Sequence, residues 1–229
     1  MPGELGTVVV TGGASGLGAA VVAAVADAGG RPFVLDRARP HDDVAHEVVD
    51  LADGRAAATA VERAAGTDGG IQAIVTCAGT DVCGRLDEVA ADDWERVVRV
   101  NLLGTAAVVR AALPHLERSH GRVVTVASTL GLRGMSDATA YCASKFGVVG
   151  FTQALAAETA GRIGVTLLIP GGMQTAFFDG RPDRYRPPPD AELSEPEDVA
   201  AAVLFALRQP RGCEVRELLI APSRETSWP

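Results

Sequence analysis

The chain has 229 residues, 47% apolar and 22% charged, enough to bury a substantial core, so disordered and fibrous classes are excluded. Aromatics make up only 4% while glycines number 26, a composition that suits a glycine-punctuated, aliphatic α/β interior better than a β-sandwich. With 21 basic against 29 acidic residues the formal charge is -8, which repels phosphate backbones and anionic lipid, so neither nucleic acid nor a membrane surface is an expected partner.

In chain order, Gly6-Thr7-Val8-Val9-Val10-Thr11 is a continuous run that predicts a strand buried on both faces. It ends in glycines. Small apolar residues over 17–28, closed by Gly29-Gly30, predict a helix, and 32–36 a second strand, completing one βαβ unit. The alternation continues with a short strand at 45–49, a helix over 51–65 and a strand at 71–75. A long helical pattern covers 92–118, with Asp93 and Glu95 near its start, Gly104 as a bend and Pro114 near its end. Strands at 122–126 and 165–169 flank a helix over 138–160, and Pro170-Gly171-Gly172 stops the second of them. Ser194 and Glu197 are spaced as a capping box for a helix to Arg208, and 217–220 closes the sheet. Residues 176–193, with Pro187-Pro188-Pro189, lack a regular pattern and read as a lid or a disordered loop. The expectation is one domain over 1–229, a Rossmann-type doubly wound parallel sheet of about seven strands with its ligand site at the carboxyl ends of the strands.

The four cysteines, Cys77, Cys83, Cys142 and Cys213, form no C-x-x-C pair and read as reduced thiols. No basic segment precedes an apolar stretch at the N-terminus and no run approaches a membrane span, so a soluble cytoplasmic protein is expected.

The first strand runs into Thr11-Gly12-Gly13-Ala14-Ser15-Gly16-Leu17-Gly18, which opens directly into a helix. Glycines there permit a tight turn and close backbone approach to a pyrophosphate seated on the helix N-terminus. Asp36, ending the second strand, is placed to accept from the adenosine ribose hydroxyls and to repel a 2'-phosphate, which favours NAD over NADP. Arg37 and Arg39 could turn toward such a phosphate, whereas Ser15 supplies no cation.

Tyr141 and Lys145 are four apart in a helical stretch and share a face. A tyrosine titrating near 10 is a poor base, and bringing it to about 7 takes about 4 kcal/mol of preferential phenolate stabilisation, which an ammonium and a nicotinamide cation can supply together. Ser128 stands at the end of the fifth strand, where cofactor and substrate should meet. Asn101 is a lone amide in an apolar helical run and reads as a functional group, a satisfied core amide or a kink.

With these residues in hand, the sequence resembles the short-chain dehydrogenase/reductase family, from Thr7 to about Ile220. The 11–18 loop looks like the family's Thr-Gly-x-x-x-Gly-x-Gly, and Asp36 matches its NAD-selecting acid. Asp50, in Asp50-Leu51-Ala52-Asp53, is similar to the aspartate that contacts adenine. Asn101, Ser128, Tyr141 and Lys145 fall in the order and spacing of the catalytic tetrad. Pro170-Gly171-Gly172-Met173-Gln174-Thr175 looks like the Pro-Gly segment whose threonine contacts the nicotinamide carboxamide. The resemblance implies cofactor contacts from Gly12, Ser15, Gly16, Leu17, Gly18, Asp36, Asp50, Leu51, Cys77, Ala78, Gly79, Tyr141, Lys145, Pro170, Gly171, Met173 and Thr175. It implies that Tyr141 transfers the proton, Ser128 orients the substrate oxygen, Lys145 lowers the Tyr141 pKa and binds the nicotinamide ribose, and Asn101 holds a water leading to solvent. Two departures stand out. Thr76-Cys77-Ala78-Gly79 replaces Asn-Asn-Ala-Gly, losing two amides that brace the sheet, and the tail with Trp228 lacks the family's glycine pair.

Phe177, Phe178, Leu130, Leu132 and Met135 read either as an apolar wall beside the reacting carbon or as core. Arg181, Arg184 and Arg186, with Tyr185, read as solvated lid groups in preference to an anion site. His41 and His46, with Asp42, Asp43 and Asp50, are not expected to hold a metal; His115 and His120 read as surface groups and Cys142 as packing. The expected activity is NAD(H)-dependent transfer of a hydride to or from a small secondary alcohol or ketone, by a homotetramer or homodimer with 102–116 and 143–158 at its interfaces. The alternatives are an NADPH ketoreductase of the 3-oxoacyl or polyketide type, a non-catalytic dinucleotide-binding scaffold, and a lyase or epimerase using transient redox.

Overall fold

The computed structural model describes residues 5–41, 43–67 and 69–225; Asp42 and Trp228 lie outside them. Seven strands, β1 (Thr7–Thr11), β2 (Arg31–Asp36), β3 (Ala45–Val48), β4 (Ala73–Thr76), β5 (Arg122–Val126), β6 (Gly164–Pro170) and β7 (Glu217–Ile220), form one sheet in the order β3-β2-β1-β4-β5-β6-β7. Every pairing is parallel. The helices α1 (Gly16–Asp27), α2 (Gly54–Ala65), α3 (Ala91–Val98), α4 (Thr105–Ser119), α5 (Thr139–Glu158) and α6 (Pro196–Leu207) make the crossovers.

Burial explains the unbroken apolar strands. All five β1 residues are buried: Val8 and Val10 pack with Leu17, Val21, Val199 and Val203 under α1 and α6, while Val9 packs with Val61, Val108 and Leu116 under α2 and α4. A central parallel strand buried on both faces therefore carries no charged side chain, with valines at its middle and threonines at its ends. The chain builds leftward from β1 to β3 and then rightward from β4 to β7, so the turns after β1 and β4 diverge and leave a crevice at the carboxyl edge.

Four local expectations change. The 92–118 helix is three pieces, α3 and α4 being joined by a π-helical turn over Arg99–Gly104. At its end a Cβ on Gly104 would lie 2.7 Å from the Leu51 carbonyl oxygen. By length and composition the Ala91–Ser119 stretch is long and apolar enough to cross a membrane, contrary to expectation; here Val108, Val109, Ala112 and Leu116 of it are buried in the core. The capping box does not form. Glu195 occupies the N-cap of α6 and Pro196 its first turn, because the Ser194 backbone is drawn into a bridge with Met173, its N–H reaching the Gly172 carbonyl at 3.0 Å. Finally, 176–193 contains two single 3-10 turns, Ala176–Phe178 and Asp183–Tyr185.

The Thr76 hydroxyl, on the strand that departs from the expected double amide, is buried with no protein hydrogen-bond partner. Thr76→Val keeps the shape and removes that uncompensated group, so it is expected to leave stability unchanged or raise it by about 1 kcal/mol. Urea denaturation reads the outcome; a comparable loss would mean that the hydroxyl is satisfied.

Candidate active site

The crevice is a cleft of about 1230 Å³ running from Asp36 and Asp50, past the glycine turn, to Tyr141 and the 176–186 segment. All the residues that the resemblance assigns to the cofactor line it. Two of the glycines are sterically required. Gly12 has φ +71°, and a Cβ there would come within 2.7 Å of the Ala78 Cα; a Cβ on Gly18 would meet the Gly12 carbonyl oxygen at 2.0 Å. The Thr11 hydroxyl accepts from the Ala78 N–H at 3.1 Å, fastening the turns after β1 and β4 together. Ser15 is the N-cap of α1 without a capping side-chain bond, so no side chain of its own covers the first-turn N–H groups.

At the far end, Asp36 accepts from the Ala14 N–H through Oδ2 and from the Ala38 N–H through Oδ1, each at 3.0 Å. Asp50 is held below the usual carboxylate range, first by the Ala52 N–H and then by Arg96, whose guanidinium stands 2.9 Å away, with a smaller push from Arg37. These features form a cradle with a bare helix N-terminus at its middle and an oriented carboxylate at its end, which fits a dinucleotide.

Two residues beyond β5, Ser128 accepts from the Leu130 N–H at 3.1 Å and hydrogen-bonds the Tyr141 side chain. One turn along α5, the Lys145 ammonium donates to the Val126 carbonyl at 2.9 Å and sits 5.6 Å from the Tyr141 ring centroid. Burial governs both titrations. It pushes the Tyr141 phenol up to about 12 against the opposing Ser128 bond, and lowers the Lys145 ammonium to about 8. Without cofactor the phenol is thus protonated at neutral pH, and Lys145 is directed at a backbone carbonyl instead of setting the phenol's titration. Asn101 lies beneath the cleft in the π turn, fully buried. Its Nδ2 donates to the Thr80 carbonyl at 2.9 Å and Ser144 Oγ at 3.0 Å, and its Oδ1 accepts from the Thr80 N–H at 2.8 Å. It clamps the turn after β4 to α5, which is the satisfied-amide reading and the kink together.

The sequence model of the family described as short chain dehydrogenase matches residues 6–185. The chain belongs to the short-chain dehydrogenase family. An uncharacterized oxidoreductase of Staphylococcus aureus is 30% identical over 226 residues, covering 93% of this chain and 96% of that protein. The glycine betaine reductase of Emericella nidulans is 33% identical over 95% of this chain but only 19% of its own length. Among solved structures, an alcohol dehydrogenase from the archaeon Thermococcus sibiricus, complexed with 5-hydroxy-NADP, superposes with a TM-score of 0.83 at 22% identity over 93% of this chain and 94% of its own. The ligand-free aldohexose dehydrogenase of Thermoplasma acidophilum gives 0.83 at 22% identity, over 94% and 92%. At such identity these two attest the fold.

At the replaced double amide the Thr76 hydroxyl has no protein partner, and Cys77 is held through its backbone alone. The Cys77 N–H donates to the Thr11 carbonyl at 3.2 Å, and burial pushes the Cys77 thiol up to about 12 despite the Lys145 charge nearby, so it fills volume as a neutral group. Of the candidate wall residues, Leu130, Met135, Phe177 and Phe178 line the cleft while Leu132 packs into the core beside β6. Cys142 is buried as packing. The His46 Nδ1–H donates to the Val44 carbonyl at 2.8 Å, just before its own strand, and among the described residues no three His, Cys, Asp or Glu side chains converge as a metal site.

Arg181 corrects an expectation. Arg184 and Arg186 are exposed, but Arg181 pairs with Asp81 at 2.9 Å, the two side chains being only 16% and 7% exposed. Two partners had no sequence signal. Asp81 lies 100 residues from Arg181. Glu225 reaches back from beyond β7 to accept from the Gly172 N–H at 2.8 Å.

Lys145→Met tests the burial of the ammonium. Since the folded-state value lies below the ordinary one, the charge costs stability wherever both states are protonated, and that cost is relieved as pH rises from about 8 toward 10.5. Wild type is therefore expected to gain on Lys145→Met across that interval in denaturation midpoint; a gap independent of pH would overturn the assignment.

Proposed function

We propose that the protein is an NAD(H)-dependent oxidoreductase that moves a hydride between nicotinamide C4 and a carbon carrying a hydroxyl or carbonyl, with Tyr141 as the acid or base. The observation that carries this reading is the convergence of Ser128, Tyr141 and Lys145 at the strand ends, in the cleft that also holds the glycine turn and Asp36. A bound nicotinamide supplies or accepts the hydride, chemistry that no side chain performs. The residues do the rest. A Tyr141 phenol that burial keeps protonated is ready to give its proton to a carbonyl oxygen, and the Ser128 hydroxyl beside it can bond the same oxygen. In the oxidative direction the phenolate needs positive charge, and Lys145, one helical turn away, is the only protonated lysine side chain available, as the chain contains no other lysine. Asn101 supports the site by fixing the Thr80 backbone against Ser144.

Asp36 supports NAD. Both its oxygens are oriented by backbone N–H groups, and an ionised carboxylate at that point repels a 2'-phosphate. One observation favours the NADPH ketoreductase reading instead: Arg37 lines the cleft, whereas Arg39 does not. Arg37 also acts on Asp50, which draws on its charge. Calorimetric titration of NAD(H) and NADP(H) decides between the two: tight NAD(H) with weak NADP(H) supports Asp36 as selector, the reverse supports Arg37, and no binding of either overturns the hydride-transfer reading.

Tyr141→Phe is expected to lower turnover by about 10²- to 10⁴-fold with cofactor affinity nearly unchanged. Retained activity would refute the mechanism. Copies of the chain are proposed to assemble through the 102–116 and 143–158 helices, where Leu103 and Phe146 are 56% and 46% exposed on contiguous elements. Phe146→Glu should then shift the mass found by light scattering to a smaller species, and an unchanged mass would remove that interface. Four free cysteines, one of them the exposed Cys213, suit a reducing cytoplasm.

A further inference from the structure

Among the described residues, one largely buried ion pair joins the irregular segment to the floor of the cleft. Asp81 follows Thr80, which Asn101 pins, and Arg181 sits across the cleft in the irregular segment. The Arg181 guanidinium lies over the rings of Phe177 and Phe178, 4.7 and 4.8 Å from their centroids, and the Phe177 ring in turn stands 5.6 Å from that of Tyr141. Asp81 is further held by the Val82 N–H at 2.7 Å and the Cys83 thiol at 3.3 Å. An unbroken series of contacts therefore runs from the turn after β4, through the ion pair and two phenylalanines, to the reacting phenol.

We propose that Asp81 and Arg181 are a specificity-determining pair, which seats the Phe177–Phe178 wall on Tyr141 and restricts the cleft to uncharged carbonyl or alcohol substrates with an apolar flank. This rests on the hydride-transfer reading. The pair has no net charge, so Arg181 is not free to receive a carboxylate. An anionic substrate would have to share one cation with Asp81 at a place where water is scarce, with the Asp137 carboxylate also acting on neighbouring Cys83 and Tyr185. A neutral substrate can lie against the Phe177 and Phe178 faces, which line the cleft next to Tyr141, without needing a cation of its own. Removing Asp81 reverses the selection. It leaves the guanidinium unpaired between two rings, where a substrate carboxylate becomes its best partner.

The test uses the full-length protein and Asp81→Asn, Arg181→Leu and the double variant, with benzoylformate and its methyl ester as matched anionic and neutral probes. Wild type is expected to favour the ester by about tenfold or more in kcat/KM, and Asp81→Asn to erase most of that preference, whereas Arg181→Leu should gain nothing for the acid. Amide hydrogen exchange over 176–186, which needs no turnover, should quicken by about tenfold in both single variants and no further in the double. Wild type taking acid and ester equally, or Asp81→Asn with unchanged preference and exchange, overturns the proposal. Absence of turnover with either probe counts against the hydride reading instead; the pair then stands or falls on exchange and on calorimetric affinities for the same two compounds.

Discussion

Two turns, one after β1 and one after β4, have to touch without a side chain between them. The reversal of strand order puts them side by side, and the space left is so small that a methyl group on Gly12 would strike the Ala78 backbone. The Thr11 hydroxyl then closes the contact by accepting from Ala78. From this follow the floor of the cleft, the direction in which α1 presents its N-terminus, and the position of Thr80 and Asp81 beyond the second turn. Gly18 repeats the constraint one turn into the helix, against the Gly12 carbonyl.

The opposite wall is governed by desolvation. Burial is the largest influence on the titrations of both Tyr141 and Lys145, opposed at Tyr141 by the Ser128 hydrogen bond and at Lys145 by the charge of Cys77. An ammonium in such a place needs a fixed acceptor, and the Val126 carbonyl at the end of β5 supplies it. The site thus holds its proton on the phenol and its cation close by.

The irregular segment is bound on three sides, which is why a stretch without hydrophobic periodicity is nonetheless placed. Met173 and Ser194 pair as a bridge at its base. Glu192 takes a hydrogen bond from Ser223 and faces Arg224, while Glu225 caps the Gly172 N–H, so the residues after β7 strap its outer side. Arg181 ties its inner side to Asp81. Each contact joins residues distant in sequence, and apart from the backbone bridge each uses a charged side chain that sequence reading assigns by default to solvent.

The sequence by itself determined the parallel sheet, the glycine turn after the first strand and the shared face of Tyr141 and Lys145, because each rests on local physics: β-branched runs buried on both faces, glycines at forced backbone positions, and a four-residue spacing on one helix face. Strand limits were legible to within a residue or two for the same reason. Only the tertiary structure decided the π turn at Asn101, the loss of the Ser194 cap to a bridge, the shift of Leu132 into the core and the burial of Arg181 against Asp81. These depend on what stands opposite a residue across the cleft, and an ion pair between positions 81 and 181 has no period for a sequence to display.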